Sequence, residues 1–167
     1  MLDRLDLAAF VSDLTPRLAP LLPATARLDV AATGGPVWIR GDAGALERVV
    51  VNLVANAADA VAGGGHVRVA VTRAASSNGG APVPSAASAA IEVSDDGVGM
   101  DAAVQTRLFE PFFTTKTKAP GSGNGGIGLG LATAFGIVAQ HGGTITVESA
   151  PRQGSRFTVL LPTIPGP

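Results

Sequence analysis

The sequence has no cysteine, few aromatic residues and little charge. Aromatic residues make up 4% of its 167 residues and charged residues 15%, with a formal net charge of −1. Without cysteine the chain forms neither disulfide bonds nor thiolate metal sites. A net charge near zero gives no electrostatic support for nucleic-acid binding. No apolar run approaches the roughly 20 residues of a membrane-spanning helix, so we expect a cytoplasmic protein without direct membrane contact.

Apolar periodicity and turn residues predict a single α+β domain over residues 1–167, with one sheet and helices on one face. Leucines at helical spacing predict a short, kinked helix within residues 1–22, with two prolines as breakers. Asp42 is positioned to cap a long helix from about residue 43 to 62, which three glycines end. The other predicted elements are strands over 27–32, 37–40, 66–73, 90–97, 144–149 and 155–162, and helices over 102–108 and 130–141.

The long predicted helix carries two asparagines in an otherwise apolar segment. Asn52 and Asn56 stand four residues apart, so they project from the same flank of the helix, and Arg48 and Asp59 extend this seam. Asparagine is a mediocre helix former, and its amide oxygen is a suitable ligand for Mg²⁺ when water and phosphate supply the rest. The seam is therefore either part of a metal and phosphate site or an ordinary solvated face.

The segment SDDGVGM, residues 94–100, follows a predicted strand. Asp95 could accept a hydrogen bond from an exocyclic amine at the end of that strand. Gly97 and Gly99 would let a flat ring lie against the main chain. The alternative is a simple Asp-Gly turn, which is common in proteins.

The stretch APGSGNGGIGLGL, residues 119–131, contains six glycines and opens a predicted helix near Gly130. Free backbone N–H groups at a helix start, together with the helix dipole, suit a phosphate group. Flexible glycines before the helix suit a lid that orders when a ligand is bound. The alternative is a plain linker, and no P-loop motif is present.

The order of these segments resembles the ATP-binding catalytic domain of sensor histidine kinases. The two asparagines, the Asp-x-Gly-x-Gly segment, LFEPFFTTK (108–116) and GIGLGLA (126–132) correspond to the N, G1, F and G2 boxes of that family. The resemblance covers residues 6–162 and is strongest to the nitrogen-regulator and hybrid-kinase subgroup. It implies the Bergerat fold, a two-layer α/β sandwich with one mixed, mostly antiparallel sheet and an ATP lid, shared with gyrase, HSP90 chaperones and MutL repair ATPases.

The resemblance also implies a role for each motif residue in binding ATP and Mg²⁺. Asp95 reads the adenine amine, Asn56 holds the metal ion, and Asn52 lies one turn earlier near the phosphates. Lys116 either reaches the γ-phosphate or is a solvated lysine, and Phe109 either packs at the hinge of the lid or belongs to the core. The implied catalytic residues are Asn52, Asn56 and Lys116, and the implied nucleotide-binding residues are Asn56, Asp59, Asp95, Gly97, Gly99, Met100, Phe109, Gly126, Gly128, Leu129 and Gly130.

A kinase of this family needs a phosphoacceptor histidine on a helical dimerisation domain, and a response regulator downstream. The chain has two histidines, His66 and His141, and both are expected to be structural, with a partly charged His141 suiting a helix end. The acceptor is therefore expected on another domain, with residues 1–22 as a connector helix towards it. The chain alone should bind ATP without labelling itself.

Two other functions stay open at this point. An ATP-hydrolysing clamp related to gyrase and the chaperones would carry a glutamate one turn before the metal asparagine, whereas this chain has Asn52. A neutral amide cannot accept the proton of an attacking water. A degenerate nucleotide-binding scaffold is the third candidate, which the complete set of motifs disfavours.

Overall fold

The computed structural model describes residues 2–74, 87–111, 113 and 129–167. In chain order its strands are β1 (Asp3–Asp6), β2 (Ala26–Ala32), β3 (Trp38–Gly41), β4 (Gly65–Ala74), β5 (Ser88–Asp95), β6 (Thr144–Ser149) and β7 (Ser155–Pro162). Its helices are α1 (Leu7–Asp13), α2 (Thr15–Leu18), α3 (Ala43–Ala60), α4 (Ala102–Arg107) and α5 (Gly130–Gln140), with a 3₁₀ turn at Ala19–Leu21.

The main sheet has five strands in the order β2-β4-β5-β7-β6. β2 and β4 run parallel, and every other neighbouring pair is antiparallel. Along β4, the buried valines Val67, Val69 and Val71 alternate with exposed residues such as Arg68 and Thr72. One face of the sheet therefore packs against the helices, which confirms the predicted α+β sandwich with a mixed, mostly antiparallel sheet.

A second, two-stranded sheet of β1 and β3 was not predicted. These strands pair antiparallel, from Asp3 opposite Gly41 to Asp6 opposite Trp38. The prediction of a helix from the first residues is wrong at positions 3–6, because pairing with β3 overrides local helix propensity there. The helix begins at Leu7, where the Asp6 carboxylate caps it by accepting a hydrogen bond from the Ala8 N–H at 3.1 Å.

The helical part of the N-terminal segment belongs to the core of the domain. Leu7, Val11, Leu14 and Leu18 are all buried, and burial of such side chains stabilises a fold by about 1.5–3 kcal/mol each. The connector role expected for residues 1–22 stays a prediction. Any such connection has to start from a segment that is already packed against this domain.

α3 packs against both the sheet and α5, and α5 also contacts the sheet at β6. Its predicted cap is confirmed, since Asp42 Oδ1 accepts a hydrogen bond from the Ala45 N–H at 2.9 Å. None of the described helices combines the length and the hydropathy required to cross a lipid bilayer. The buried side chains of α3 recur every three or four residues, at Leu46, Val49, Val50, Leu53, Val54, Ala57 and Ala58.

Candidate functional site

The predicted asparagine seam lies on the flank of α3, and its two members have different surroundings. Asn52 Nδ2 donates a hydrogen bond to the carbonyl of Gly130, the first residue of α5, at 3.0 Å. Within the described part of the chain, the half-buried amide of Asn56 has no hydrogen-bond partner. Asn52 therefore contacts α5, while the oxygen of Asn56 is available to a ligand. Asp59, in the last turn of α3, is exposed.

Residues 95–100, called the base loop below, connect β5 to the turn before α4. Asp95 Oδ1 accepts a hydrogen bond from the Gly97 N–H at 2.9 Å. Burial raises the pKa of Asp95 and the negative charge of Asp96 adds to this, while N–H groups of Gly97 and Ser155 oppose the shift. A partly desolvated carboxylate at the end of the central strand β5 is a strong acceptor for a ligand that brings its own N–H donors.

The two glycines of the base loop are required by the protein's own backbone. A Cβ on Gly97 would lie 2.3 Å from the carbonyl oxygen of Ala60, the last residue of α3. Gly99 has a φ of +66°, and a Cβ there would lie 1.9 Å from the carbonyl oxygen of Ala150. The glycines therefore let the base loop lie tightly between α3 and the turn that connects β6 to β7.

We expect Gly99→Ala to lower the free energy of unfolding, because the residue needs a left-handed backbone and the added methyl group meets a carbonyl. The backbone strain alone costs roughly 1–3 kcal/mol. Gly136→Ala is the matched control, because no described atom beyond the helix's own backbone lies within 4 Å of a Cβ at this exposed position of α5. This control should gain about 0.5–1 kcal/mol of helix stability. Chemical denaturation of both variants checks the prediction, and an unchanged Gly99→Ala protein would contradict it.

α3 brings the asparagine seam, the base loop and the start of α5 together. Asn52 contacts α5 through Gly130, and the Ala60 carbonyl at the other end accepts a hydrogen bond from Val98 of the base loop at 3.2 Å. At a rise of 1.5 Å per residue these two contacts are about 12 Å apart along α3, with Asn56 between them. This spacing suits an elongated ligand with a base at one end and phosphates at the other.

The start of α5 has the properties expected of an anion site. Leu129 is the N-cap residue, and its side chain makes no capping hydrogen bond to the first turn. The first N–H groups of a helix have no partner within the helix and point outwards with the positive end of the dipole. Gly130 is exposed at this end. Lys116, Gly126 and Gly128, and with them the predicted lid, lie outside the described residues.

Phe109 joins the region after α4 to α5. Its ring is half-buried, packs against the core and lies 5.4 Å from the ring of Phe135. Arg107 lies over the ring of Phe113 at 4.5 Å and bonds to Glu110 at 3.1 Å. Phe109 was predicted either to belong to the core or to pack at the hinge of the lid. The structure shows that it packs against the core, and the hinge role stays a prediction.

Both histidines are engaged in the fold. His141 is 8% exposed; its Nε2 accepts a hydrogen bond from the Asp42 N–H at 3.0 Å, and its Nδ1 donates to the Ile137 carbonyl at 2.8 Å. Both ring nitrogens of His141 are therefore used within the fold, which agrees with the structural role expected for it. His66 is exposed at the start of β4, with its ring 3.4 Å from a carboxylate oxygen of Asp96.

Several residues around the base loop were not predicted from the sequence. Ser149 at the end of β6 and Gln105 in α4 both bond to the backbone of Met100, and Ser155 contacts Ser149 at 2.9 Å. No local signal identifies them, because a serine in a strand and a glutamine in a helix are ordinary surface residues. Only the pairing of β5 with β7, and of β7 with β6, brings this end of the sheet beside the base loop.

No group of three or more histidine, cysteine, aspartate or glutamate side chains among the described residues could hold a metal ion. A magnesium ion at Asn56 would therefore take most of its ligands from water and from a bound phosphate. This is the usual situation of Mg²⁺ in nucleotide sites. The chemistry of the amide oxygen fits such an ion.

Comparisons with known proteins agree with this geometry. The family model of histidine kinase-, DNA gyrase B-, and HSP90-like ATPases matches residues 41–165. The sensor kinase CckA of Brucella abortus is 34% identical over 165 residues, which are 96% of this chain and 17% of CckA. The sensor histidine kinase ZraS of Escherichia coli is 41% identical over 124 residues, which are 74% of this chain and 23% of ZraS.

The fold is also that of a solved relative. The structure of the mycobacterial sensor histidine kinase MprB superposes with a TM-score of 0.76 at 25% identity, covering 99% of this chain and 100% of the MprB chain. By contrast, the chain spans about a fifth of the length of CckA and of ZraS.

Proposed function

We propose that this chain, which belongs to the histidine kinase-, DNA gyrase B-, and HSP90-like ATPases, binds ATP with Mg²⁺ and donates the γ-phosphoryl group to a histidine on a separate dimerisation domain. Binding of ATP is the property of the family. The observation that carries the rest is the alignment along α3 of the base loop, Asn56 and the start of α5, with the Asn56 amide unpartnered among the residues that the structure describes. This order matches a nucleotide from its base to its phosphates.

At the base end, Asp95 would accept a hydrogen bond from the adenine amine. The Gly97 N–H holds one carboxylate oxygen at 2.9 Å and so orients the group. The raised pKa of Asp95 indicates a carboxylate that lacks full solvation. A bound amine supplies the missing donor, which makes the interaction stronger than in water.

At the phosphate end, Asn56 would hold Mg²⁺ through its amide oxygen. When bound, Mg²⁺ would neutralise charge on the phosphates and on the transferring group. The start of α5 near Leu129 would provide backbone N–H groups to the phosphates. The predicted role of Lys116 at the γ-phosphate is part of this proposal.

Transfer to another group is favoured over hydrolysis because α3 offers no general base at Asn52. Its amide nitrogen donates to the Gly130 carbonyl, and an amide does not accept a proton from water at neutral pH. An ATP-hydrolysing clamp is therefore the weaker proposal.

The phosphoacceptor would lie outside this chain. His141 is buried with both ring nitrogens bonded, and His66 is held beside Asp96 at the opposite end of the base loop from Met100. CckA and ZraS are named as a sensor kinase and a sensor histidine kinase, which supports a dimerisation domain and a response regulator as partners. A cytoplasmic location stays a prediction.

Radiolabelled ATP tests the division of labour between the chain and its acceptor. We expect the chain alone to bind ATP, to release phosphate slowly and to remain unlabelled on a gel. Addition of a dimerisation domain with its histidine should give label on that domain. Label on this chain that is lost in His66→Ala or His141→Ala would contradict the proposal, and rapid phosphate release from the chain alone would favour the hydrolysing clamp.

A further inference from the structure

We infer that Gln105 is a positioning residue for adenine recognition, because it fixes the far end of the base loop. Gln105 is half-buried in α4, and its Nε2 donates to the carbonyls of Met100 at 3.0 Å and Ser149 at 2.8 Å. One side chain thereby joins α4, the base loop and the end of β6. The inference rests on the proposed nucleotide site. It assigns to Gln105 a part in the selectivity of that site for adenine.

Ser149 completes the attachment of Met100. Its hydroxyl oxygen accepts a hydrogen bond from the Met100 N–H at 2.9 Å, and the hydroxyl donates to the Gly154 carbonyl at 2.8 Å. Since a serine hydroxyl has one hydrogen, the contact with Ser155 at 2.9 Å must use the Ser155 hydroxyl as donor. Both backbone polar groups of Met100 are thus held by side chains.

Gly97 and Val98, in the middle of the base loop, are held to the rest of the protein by backbone groups instead. The Val98 N–H donates to Ala60 at 3.2 Å, and the Gly154 N–H donates to Gly97 at 3.1 Å. The Arg152 N–H donates to Val98 at 2.6 Å. Substitution of side chains leaves these contacts in place. Gln105 and Ser149 are therefore the positions at which a substitution can loosen the Met100 end of the loop without removing the residues that would touch the nucleotide.

Loosening the loop should affect discrimination between bases more than it affects binding of the phosphates. The Gly97 N–H orients the Asp95 carboxylate, which attracts the amine at C6 of adenine and repels the carbonyl oxygen at C6 of guanine. A mobile loop lets the carboxylate turn away from either base. Affinity for ADP should then fall more than affinity for GDP.

Calorimetric titration of ADP and GDP, at one Mg²⁺ concentration, measures this selectivity. Gln105→Met keeps the length of the side chain but removes its donors. We expect this variant to weaken ADP binding roughly tenfold and to reduce the ADP-to-GDP affinity ratio. Gln105→Glu should have a larger effect, because a carboxylate would face two carbonyls. Gln140→Glu, at an exposed position at the end of α5, is the control for the added charge and should bind as the parent does.

Ser149 variants provide a second route to the same result. Ser149→Ala should also reduce the affinity ratio, and Ser149→Thr, which keeps the hydroxyl, should restore it. A lower melting temperature of Gln105→Met and Ser149→Ala with an unchanged affinity ratio would show a structural role alone and overturn the inference. Asp95→Asn tests the proposed base site itself, which fails if this variant leaves ADP affinity unchanged. If Asp95→Asn weakens ADP binding but Gln105→Met does not, only the positioning role of Gln105 is rejected.

Discussion

Asp95→Asn should weaken the binding of ATP and of ADP by roughly 10- to 150-fold. This range corresponds to the loss of a charge-assisted hydrogen bond of roughly 1.5–3 kcal/mol to the adenine amine. The free energy of unfolding should stay within about 1 kcal/mol of the parent value, because an asparagine can still accept from the Gly97 N–H. Calorimetric titration and chemical denaturation of the same preparation separate the two quantities.

The pH dependence of binding follows from the raised pKa of Asp95. A raised pKa means that the folded chain holds the proton more tightly than the unfolded chain does, so ionised Asp95 opposes folding at neutral pH and its protonation at low pH favours folding. Adenine recognition needs the ionised form. Nucleotide affinity should therefore fall with decreasing pH before an ordinary aspartate would protonate, and Asp95→Asn should remove this component.

Asp96→Asn is the matched control for Asp95→Asn, since the same change is made one residue later. The His66 backbone N–H lowers the pKa of Asp96, and the His66 ring adds to the effect. A lowered pKa stabilises the fold above the pKa of the unfolded chain, and this stabilisation is lost as pH falls through the folded value. Asp96→Asn should thus reduce stability slightly and leave affinity at neutral pH unchanged. The pH at which affinity falls should move downwards, because the charge of Asp96 contributes to the raised pKa of Asp95. Equal affinities for the parent and Asp95→Asn would reject the proposed role of Asp95.

Asn56→Ala should reduce phosphoryl transfer to an added dimerisation domain by roughly 100-fold or more. Loss of a metal ion that stabilises the charge of the transition state costs about 3 kcal/mol or more. Binding provides a second measure, because Asn56→Ala should weaken nucleotide binding with Mg²⁺ present and have little effect with the metal chelated. An equal loss under both conditions would instead indicate a structural Asn56.

Asn52→Ala gives the comparison for Asn56→Ala within the same helix. It removes the hydrogen bond to the Gly130 carbonyl, so its effect on binding should be similar with and without Mg²⁺. The difference between the two variants in their dependence on Mg²⁺ is therefore the decisive quantity. If Asn52→Ala shows the stronger dependence on Mg²⁺, the proposed metal ligand is the wrong asparagine.

The sequence predicted the position of most helices and strands because their signals are local. The Asp42 cap, the buried stripe of α3 and the alternation along β4 each follow from neighbouring residues. The relative order of the motifs also predicted the family, which the match over residues 41–165 confirms. Asn56 and Asp95 could be selected in the same way, because each lies within a short motif, although their roles stay predictions.

Pairings between distant segments could not be predicted. Residues 3–6 were expected to be helical, yet they form a strand because β3, more than 30 residues later, offers open backbone groups. The strands on either side of Gly34 were predicted correctly, but β2 pairs with β4 and β3 with β1. The local β-propensity of a segment does not indicate which other strand it will pair with.

The sequence by itself determined the fold class, the family and the candidate nucleotide residues, because periodicity, capping and motif spacing depend on residues close together in the chain. Only the tertiary structure decided how those residues are held. It brought Asn52 to Gly130, filled the space beside Gly97 and Gly99 with the carbonyls of Ala60 and Ala150, and placed Gln105 and Ser149 around Met100. These contacts join segments up to about 80 residues apart, and their geometry follows from the packing of whole elements that no local pattern encodes.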